Sequence, residues 1–277
     1  MDPEILKKVE ALLAEAGEAI LSVYGQHQVG LEWKADHSPV TLADRLSSRI
    51  INRRLAALFP EIPVIDEENE APPFSVRKEW PRFFLLDPLD GTKEFLKKNG
   101  EFCINLALME NNLPVVSWIY HPVGRRGWFC QKGKTIATFG EQAAVLPQPQ
   151  PDVLVAVTSR SHLSPEISGI LQRMGALHPL EIRATGSSLK QVQIALGEAD
   201  LYLSGSGTSE WDTAAGHLMA ESGGGKVTAW DLSTPLLYNK PRLGNPRFVM
   251  LSKRFMNSTW LHDLRVILQE SAGGPSC

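Results

Sequence analysis

Phe84-Leu85-Leu86-Asp87-Pro88-Leu89-Asp90-Gly91-Thr92-Lys93-Glu94-Phe95 is the stretch on which the reading of this chain turns. Phe84 to Leu86 continue an apolar run that predicts a buried strand. Asp87 and Asp90 follow it, with Pro88 stiffening the turn between them, and Gly91-Thr92 offers a small backbone and a hydroxyl where a helical turn can start. Two readings fit. Asp-Pro and Asp-Gly pairs are ordinary turn formers. Carboxylates converging at a strand end are also the hard oxygen ligands that Mg²⁺ prefers, and N–H groups at a helix start attract phosphate. The second reading points to metal-assisted phosphoryl hydrolysis.

The rest of the chain decides between them by repetition. Acidic residues recur where apolar segments end: Asp44 after Pro39-Val40-Thr41, Glu67 after Pro63-Val64-Ile65, and Asp212 in Glu210-Trp211-Asp212-Thr213-Ala214-Ala215-Gly216, where it precedes a helix. Asp212 alone reads as a helix N-cap. Four acidic sites placed alike are harder to assign to turns.

The elements between them are mixed. Helical spacing covers residues 3–29 and 42–58, the second ended by Pro60. Strands are expected at 103–109, 115–120, 127–130 and 135–139 as an antiparallel meander, turning at Asn111-Asn112 and Lys132-Gly133. The second half alternates: strand 153–158, helix 165–174, helix 189–196, strand 199–203, helix 213–222 stopped by Gly223-Gly224-Gly225, strand 248–251 and helix 261–268. Pro147, Pro149 and Pro151 mark a boundary between an N-terminal lobe of about 1–146 and a C-terminal lobe of about 147–277 within one domain.

Composition bounds the function. The chain has 277 residues, 43% hydrophobic and 21% charged, as an ordinary globule does. A net charge of −3 offers no basis for binding nucleic acid. Cys103, Cys130 and Cys277 form neither a disulfide framework nor a zinc-type cluster. With no secretory signal and no apolar run of about 18 residues, a cytoplasmic protein without a membrane span is expected. Peripheral membrane association stays open, and monomer and homodimer are equally compatible with these residues.

Asp87-Pro-Leu-Asp-Gly-Thr92 and Trp211-Asp-Thr-Ala-Ala-Gly216, in this order and spacing, resemble the two signatures of the inositol monophosphatase superfamily of Mg²⁺-dependent, lithium-sensitive phosphatases. The similarity runs from Pro39-Val-Thr-Leu-Ala-Asp44 to Asn245-Pro246. Gly91-Thr-Lys-Glu-Phe95 with Asn99-Gly-Glu-Phe102, Ser159-Arg-Ser-His162 and Gly186-Ser-Ser-Leu-Lys190 resemble the bacterial 3′(2′),5′-bisphosphate nucleotidase branch. The resemblance implies a mixed α/β fold, a layered αβαβα sandwich of the inositol monophosphatase and fructose-1,6-bisphosphatase type. It implies two or three Mg²⁺ ions. Glu67, Asp87 and the Leu89 carbonyl would hold the first, Asp87, Asp90 and Asp212 the second, and a weaker third would lie near Glu67. Thr92, hydrogen-bonded to Asp44, would orient or deprotonate the attacking water.

The substrate implied is a small phosphorylated nucleotide, adenosine 3′,5′-bisphosphate, cleaved to AMP and phosphate, with its sulfated analogue also accepted. An inositol or sugar monophosphate is the alternative. Gly91 and Thr92 would meet the scissile phosphate, and His162, Ser187 and Lys190 the second phosphate and nucleoside. Without the resemblance, Gly91 reads equally as a turn glycine, Gly186-Ser187-Ser188 as a turn with a helix cap, and His162 as an exposed loop residue. In one place the chain departs from its branch: Ser204-Gly205-Ser206-Gly207 stands where an arginine often follows the strand, so Arg160 or Arg183 would have to replace that cation.

Overall fold

A computed structural model describes residues 1–26, 30, 32–33, 39–141, 152–161, 163–205 and 207–272. The first half holds α1 (Pro3–Tyr24), the short strands β1 (Glu32–Trp33) and β2 (Pro39–Val40), α2 (Leu42–Leu58), β3 (Val64–Asp66), α3 (Phe74–Arg77), β4 (Arg82–Asp90) and α4 (Thr92–Leu96). The meander follows as β5 (Cys103–Glu110), β6 (Leu113–His121), β7 (Arg126–Gln131) and β8 (Ala137–Gly140). The second half holds β9 (Leu154–Ser159), α5 (Pro165–Leu177), β10 (Leu180–Thr185), α6 (Leu189–Ala195), β11 (Leu201–Ser204), a 3₁₀ turn at Glu210–Asp212, α7 (Ala214–Ser222), β12 (Lys226–Ala229), β13 (Phe248–Leu251), α8 (Lys253–Met256) and α9 (Trp260–Ala272).

Strands β3 to β8 form a six-stranded sheet in chain order, with β3 parallel to β4 and every later pair antiparallel. Asn111 and Asn112 turn β5 into β6 with φ of 50° and 62°. Left-handed backbone at two successive residues is what a tight hairpin needs, and asparagine tolerates it. The second sheet has the order β10-β9-β11-β13-β12, parallel at β10-β9-β11 and antiparallel around β13.

The period-2 alternation of β-strands assigns each residue to a layer. Phe84 and Leu86 pack with Val9, Leu13 and Ile20 of α1 and Ile51 and Leu55 of α2. Their neighbours Phe83 and Leu85 face the other way, into a cluster with Val192 of α6, Leu218 and Met219 of α7, and Val155, Val157 and Phe248 of the second sheet. The far side of that sheet, Leu154, Leu201 and Val249, packs with Ile170 of α5 and Leu264 of α9. The order is therefore helix, sheet, helix, sheet, helix. Each fully buried Leu or Phe in these three clusters contributes about 1.5–3 kcal/mol.

Several sequence expectations are corrected here. The first helix ends at Tyr24, capped by Gly25, rather than reaching residue 29. β10 and β12 were not expected. β10 alternates apolar with polar residues but is largely solvent-accessible, as an edge strand can be, and β12 has only four residues. The proline-rich lobe boundary and Cys277 lie outside the described residues.

One buried ion pair fastens the second sheet to α8. Asp200 is 0% exposed. It accepts from Arg254 Nε at 2.9 Å, from Ser252 Oγ at 3.0 Å and from the Val155 N–H at 2.9 Å, and the second Arg254 nitrogen also reaches it. Asp200→Ala removes the acceptor and leaves these donors facing a dry cavity. It is expected to lower the unfolding free energy by about 3 kcal/mol, the low end for a broken buried pair because Arg254 still reaches solvent. Equilibrium denaturation in guanidinium chloride measures it, and an unchanged midpoint would refute the assignment.

Candidate active site

The site begins with an irregularity in β4. Residues three apart on a regular strand face opposite sides of the sheet. Here Asp87 pairs with Asn105 and Asp90 with Cys103, so the register shifts between them. The extra residue of such a bulge re-aims the side chains beyond it, and Asp87, Leu89 and Asp90 all line one cavity. The expected turn at Pro88 is thus a bulge inside a longer strand. Ser47 Oγ of α2 donates to the Pro88 carbonyl at 2.7 Å and ties the bulge down. Gly91 then has φ 95°, and a Cβ there would lie 3.1 Å from both the Glu101 carbonyl oxygen and Ser187 Cβ, so only glycine fits.

Three carboxylates converge. Glu67, Asp87 and Asp212 each bring an oxygen within 4.8 Å of the others. Asp87 is 1% exposed, and its Oδ1 accepts from the Leu89 N–H at 3.0 Å. Asp212 is not an N-cap as expected. It closes a capping box in the 3₁₀ turn, its Oδ2 accepting from the Ser209 N–H at 2.7 Å. Asp90 stands beside the three. Its Oδ2 accepts from the Ser188 N–H at 2.6 Å, Ser188 Oγ at 2.5 Å and Asn105 Nδ2 at 3.1 Å, which fixes the carboxylate rigidly.

Burial, reinforced by the charges of Glu67 and Asp90, holds the carboxyls of Asp87 and Asp212 well above the usual carboxylate range. A cluster of this kind is stabilised by a cation. A donor set of carboxylate oxygens alone suits a hard divalent ion such as Mg²⁺. The residues fit a metal site.

Thr92 and Asp44 sit next to this cluster. Asp44, in the first turn of α2 and 2% exposed, accepts at Oδ2 from the Thr41 N–H at 2.8 Å and Thr41 Oγ1 at 2.5 Å. Its Oδ1 accepts from Thr92 Oγ1 at 3.2 Å. One carboxylate thus caps a helix and holds the Thr92 proton. Burial raises its pKa, as does the nearby Glu67 charge, against the pull of the Thr41 hydrogen bonds.

The cavity, about 610 Å³, extends from these groups to residues of the second half of the chain. Lys190 of α6 is only 7% exposed and lines it. Its ammonium donates to the Ser187 carbonyl and stands 5.3 Å from the centre of the Tyr202 ring. Ser187 also lines the cavity and takes φ 48°, the left-handed conformation that compacts the turn ahead of α6. Leu163, Ile167 and Leu203 supply an apolar wall. His162 lies outside the described residues.

Neither arginine suggested by the sequence replaces the missing cation at Ser204. Arg160 is held by both Glu101 oxygens at 2.6 Å, and Arg183 by Glu181 at 2.7 Å and the Glu198 carbonyl at 3.0 Å. Both lie outside the cavity wall.

Ser188, Asn105 and Gln191 escaped sequence reasoning. Ser188 Oγ accepts from Asn105 Nδ2 at 2.9 Å and from Gln191 Nε2 at 3.1 Å, and it also lies 2.9 Å from the Asp212 carbonyl. These three join Asp90 to Asp212, which are distant in sequence. The available signal was an uncharged polar residue, Asn105, inside the apolar run of β5.

Residues 2–269 match the inositol monophosphatase family model. The chain belongs to the inositol monophosphatase family. It is 40% identical over 250 residues to the 3′(2′),5′-bisphosphate nucleotidase CysQ of Salmonella typhimurium (strain LT2), covering 88% of this chain and 98% of that one. Identity to the enzyme of the same name from Buchnera aphidicola subsp. Acyrthosiphon pisum is 36%, covering 82% of this chain and 85% of that one. Among solved structures of the family, CysQ from Bacteroides thetaiotaomicron superimposes with a TM-score of 0.76 at 35% identity, covering 91% of this chain and 98% of that one. The Thermotoga maritima inositol monophosphatase shares the fold, with a TM-score of 0.76 at 21% identity and 96% and 97% coverage. Among the described residues, no helix is long and apolar enough to cross a membrane.

The raised carboxyls give a sign to the pH dependence of stability. The metal-stripped native state keeps protons on Asp87 and Asp212 that the unfolded chain releases above about pH 4. Its stability therefore falls as pH rises above about 4, and a divalent cation bound to the native state opposes the fall. The Tm difference between Mg²⁺-loaded and chelator-treated protein is expected to widen with pH. A difference that narrows would show that the two carboxyls are not held protonated.

Proposed function

We propose that this protein is a Mg²⁺-dependent 3′(2′),5′-bisphosphate nucleotidase. It removes the 3′-phosphate of adenosine 3′,5′-bisphosphate to give AMP and phosphate, and accepts the 5′-phosphosulfate analogue. One juxtaposition carries the reading: Thr92 Oγ1 donates to the buried Asp44 beside three converging carboxylates, while the Lys190 ammonium lines the same cavity. The nucleotidase names of relatives up to 40% identical support it.

Glu67, Asp87, the Leu89 carbonyl, Asp90 and Asp212 would hold two Mg²⁺ ions, with a weaker third near Glu67. Mg²⁺ supplies positive charge against the phosphate and the leaving oxygen and makes water more acidic. The protein's own part is proton handling and orientation. Thr92 donates its hydroxyl hydrogen bond to Asp44, so its oxygen lone pairs are left as acceptors for the attacking water. A proton leaving that water passes to Thr92 Oγ1 as the Thr92 proton moves to Asp44, whose raised pKa suits it to receive one. Glu67, whose oxygen converges with those of Asp87 and Asp212, would help to orient the attacking water. The Gly91 and Thr92 N–H groups would meet the scissile phosphate. Ser187 and Lys190, with His162, would receive the second phosphate, where the buried ammonium has two donors beyond the one given to the Ser187 carbonyl. A cytoplasmic enzyme of this kind would clear the bisphosphate product of sulfate assimilation.

Two measurements test the reading. Phosphate release with Mg²⁺ is expected to show a higher kcat/KM for adenosine 3′,5′-bisphosphate than for inositol 1-phosphate or fructose 1,6-bisphosphate. A preference for inositol phosphate would leave the carboxylate site intact and make the substrate a monophosphate. Thr92→Ala is expected to lower kcat by about 10²–10⁴-fold with KM little changed, as loss of a proton-handling group does. A KM effect alone would make Thr92 a binding residue.

A further inference from the structure

Glu94, in the first turn of α4, is a carboxylate without an assigned task. It is 5% exposed and lines the cavity, but is not one of the three converging carboxylates. Its Oε1 accepts from Ser161 Oγ at 2.5 Å, and Ser161 Oγ in turn lies 2.7 Å from Lys97 Nζ. The direction of this relay is fixed chemically. An ammonium only donates, so the Ser161 oxygen accepts from Lys97 and its single proton goes to Glu94. Glu94 is thereby held as an acceptor. Its second oxygen has no hydrogen-bond partner, and its carboxylate no ion pair, among the described residues. Gly186 packs against its stem: a Cβ at residue 186 would lie 2.5 Å from Glu94 Cγ.

A buried, partly unpartnered carboxylate is out of place in a cavity for a polyanion. It repels phosphate and attracts a cation or a hydrogen-bond donor, and since Glu94 is outside the converging cluster the donor is the fitting partner. We propose that Glu94 is a specificity-determining residue whose unpartnered oxygen accepts a hydrogen bond from a neutral O–H or N–H group of the nucleoside. This rests on the nucleotidase reading above. Adenosine 3′,5′-bisphosphate carries two such donors, the ribose 2′-hydroxyl and the exocyclic amine of the base. A site built around a buried acceptor discriminates sharply, because a substrate lacking the donor leaves the acceptor unsatisfied.

The test compares kcat/KM of wild type and Glu94→Gln on four substrates: adenosine 3′,5′-bisphosphate, its 2′-deoxy analogue, purine riboside 3′,5′-bisphosphate, which lacks the amine, and p-nitrophenyl phosphate, which has no donor. In the variant, the amide oxygen stays on the Ser161 proton and the NH₂ group faces the cavity, so donor meets donor. Wild type is expected to lose about 10–100-fold on one of the two nucleotide analogues, and that analogue identifies the donor. Glu94→Gln is expected to lose a similar factor on the parent nucleotide and little on that analogue or on the aryl phosphate. Equal wild-type activity on all three nucleotides would overturn the proposal, as would an equal loss by the variant on all four substrates, the mark of a structural role. Wild-type protein inert toward every nucleotide but active on inositol 1-phosphate would remove the nucleotidase reading, and this inference with it.

Discussion

Asp87 is buried among the charges of Glu67, Asp90 and Asp212, and like charges held this closely at low exposure oppose folding. The carboxylates are held by uncharged donors, some from remote elements and some from their own turn or helix cap. Ser188 and Asn105 hold Asp90, the Ser209 N–H holds Asp212, and Thr41 and Thr92 hold Asp44. The positions of α2, β5, α6 and the 3₁₀ turn follow from this one need. Uncharged donors hold these carboxylates in shape without cancelling their charge, as lysines or arginines in those places would, and so leave the cluster fit for a cation.

The layered core explains how such a centre can be rigid. Phe83 and Leu85 pack into the middle layer while Phe84 and Leu86 pack against α1 and α2, so β4 is clamped on both faces up to the residue before Asp87. The bulge then releases the strand where the chemistry starts. Ser47, bonded to the Pro88 carbonyl, and Asp44, bonded to Thr92, both lie on α2, three residues apart. One helix thus holds the bulge and the proton acceptor in fixed relation, and sliding it would disturb both.

Much of this was legible in the sequence because the periodic signals are strong. α2 was read with its observed bounds, and the hairpin at Asn111-Asn112 from residues that tolerate left-handed backbone. The acidic residues stood out because each ends an apolar run. The failures have physical causes. β10, Leu180-Glu181-Ile182-Arg183-Ala184-Thr185, does alternate apolar and polar residues, but it is a six-residue edge strand with Ile182 exposed, so its period-2 signal is short and weak. The bulge at Asp87–Asp90 is a matter of register against β5, and register is a property of two strands. Ser188 looked like a helix cap, yet its hydroxyl donates to Asp90 and sits beside the Asp212 carbonyl. A hydroxyl placed between residues distant in sequence leaves no local pattern.

The charge arrangement of the cavity also bears on why Arg160 and Arg183 are turned away. Glu101 takes Arg160 at 2.6 Å and uses the same carboxylate to accept the Gly186 N–H at 2.7 Å. That pair shapes the turn leading to Ser187, Ser188 and Lys190. An arginine swung into the cavity would leave Glu101 unpaired and loosen the segment that positions Asp90. Structural demand on Arg160 thus outweighs its use as a phosphate ligand, and Lys190 is left as the buried cation of the cavity wall. A buried ammonium neutralises less charge than an ammonium with a guanidinium beside it, so this part of the wall leans on Lys190, the more exposed Lys93 and neutral groups such as Ser187 for its polarity.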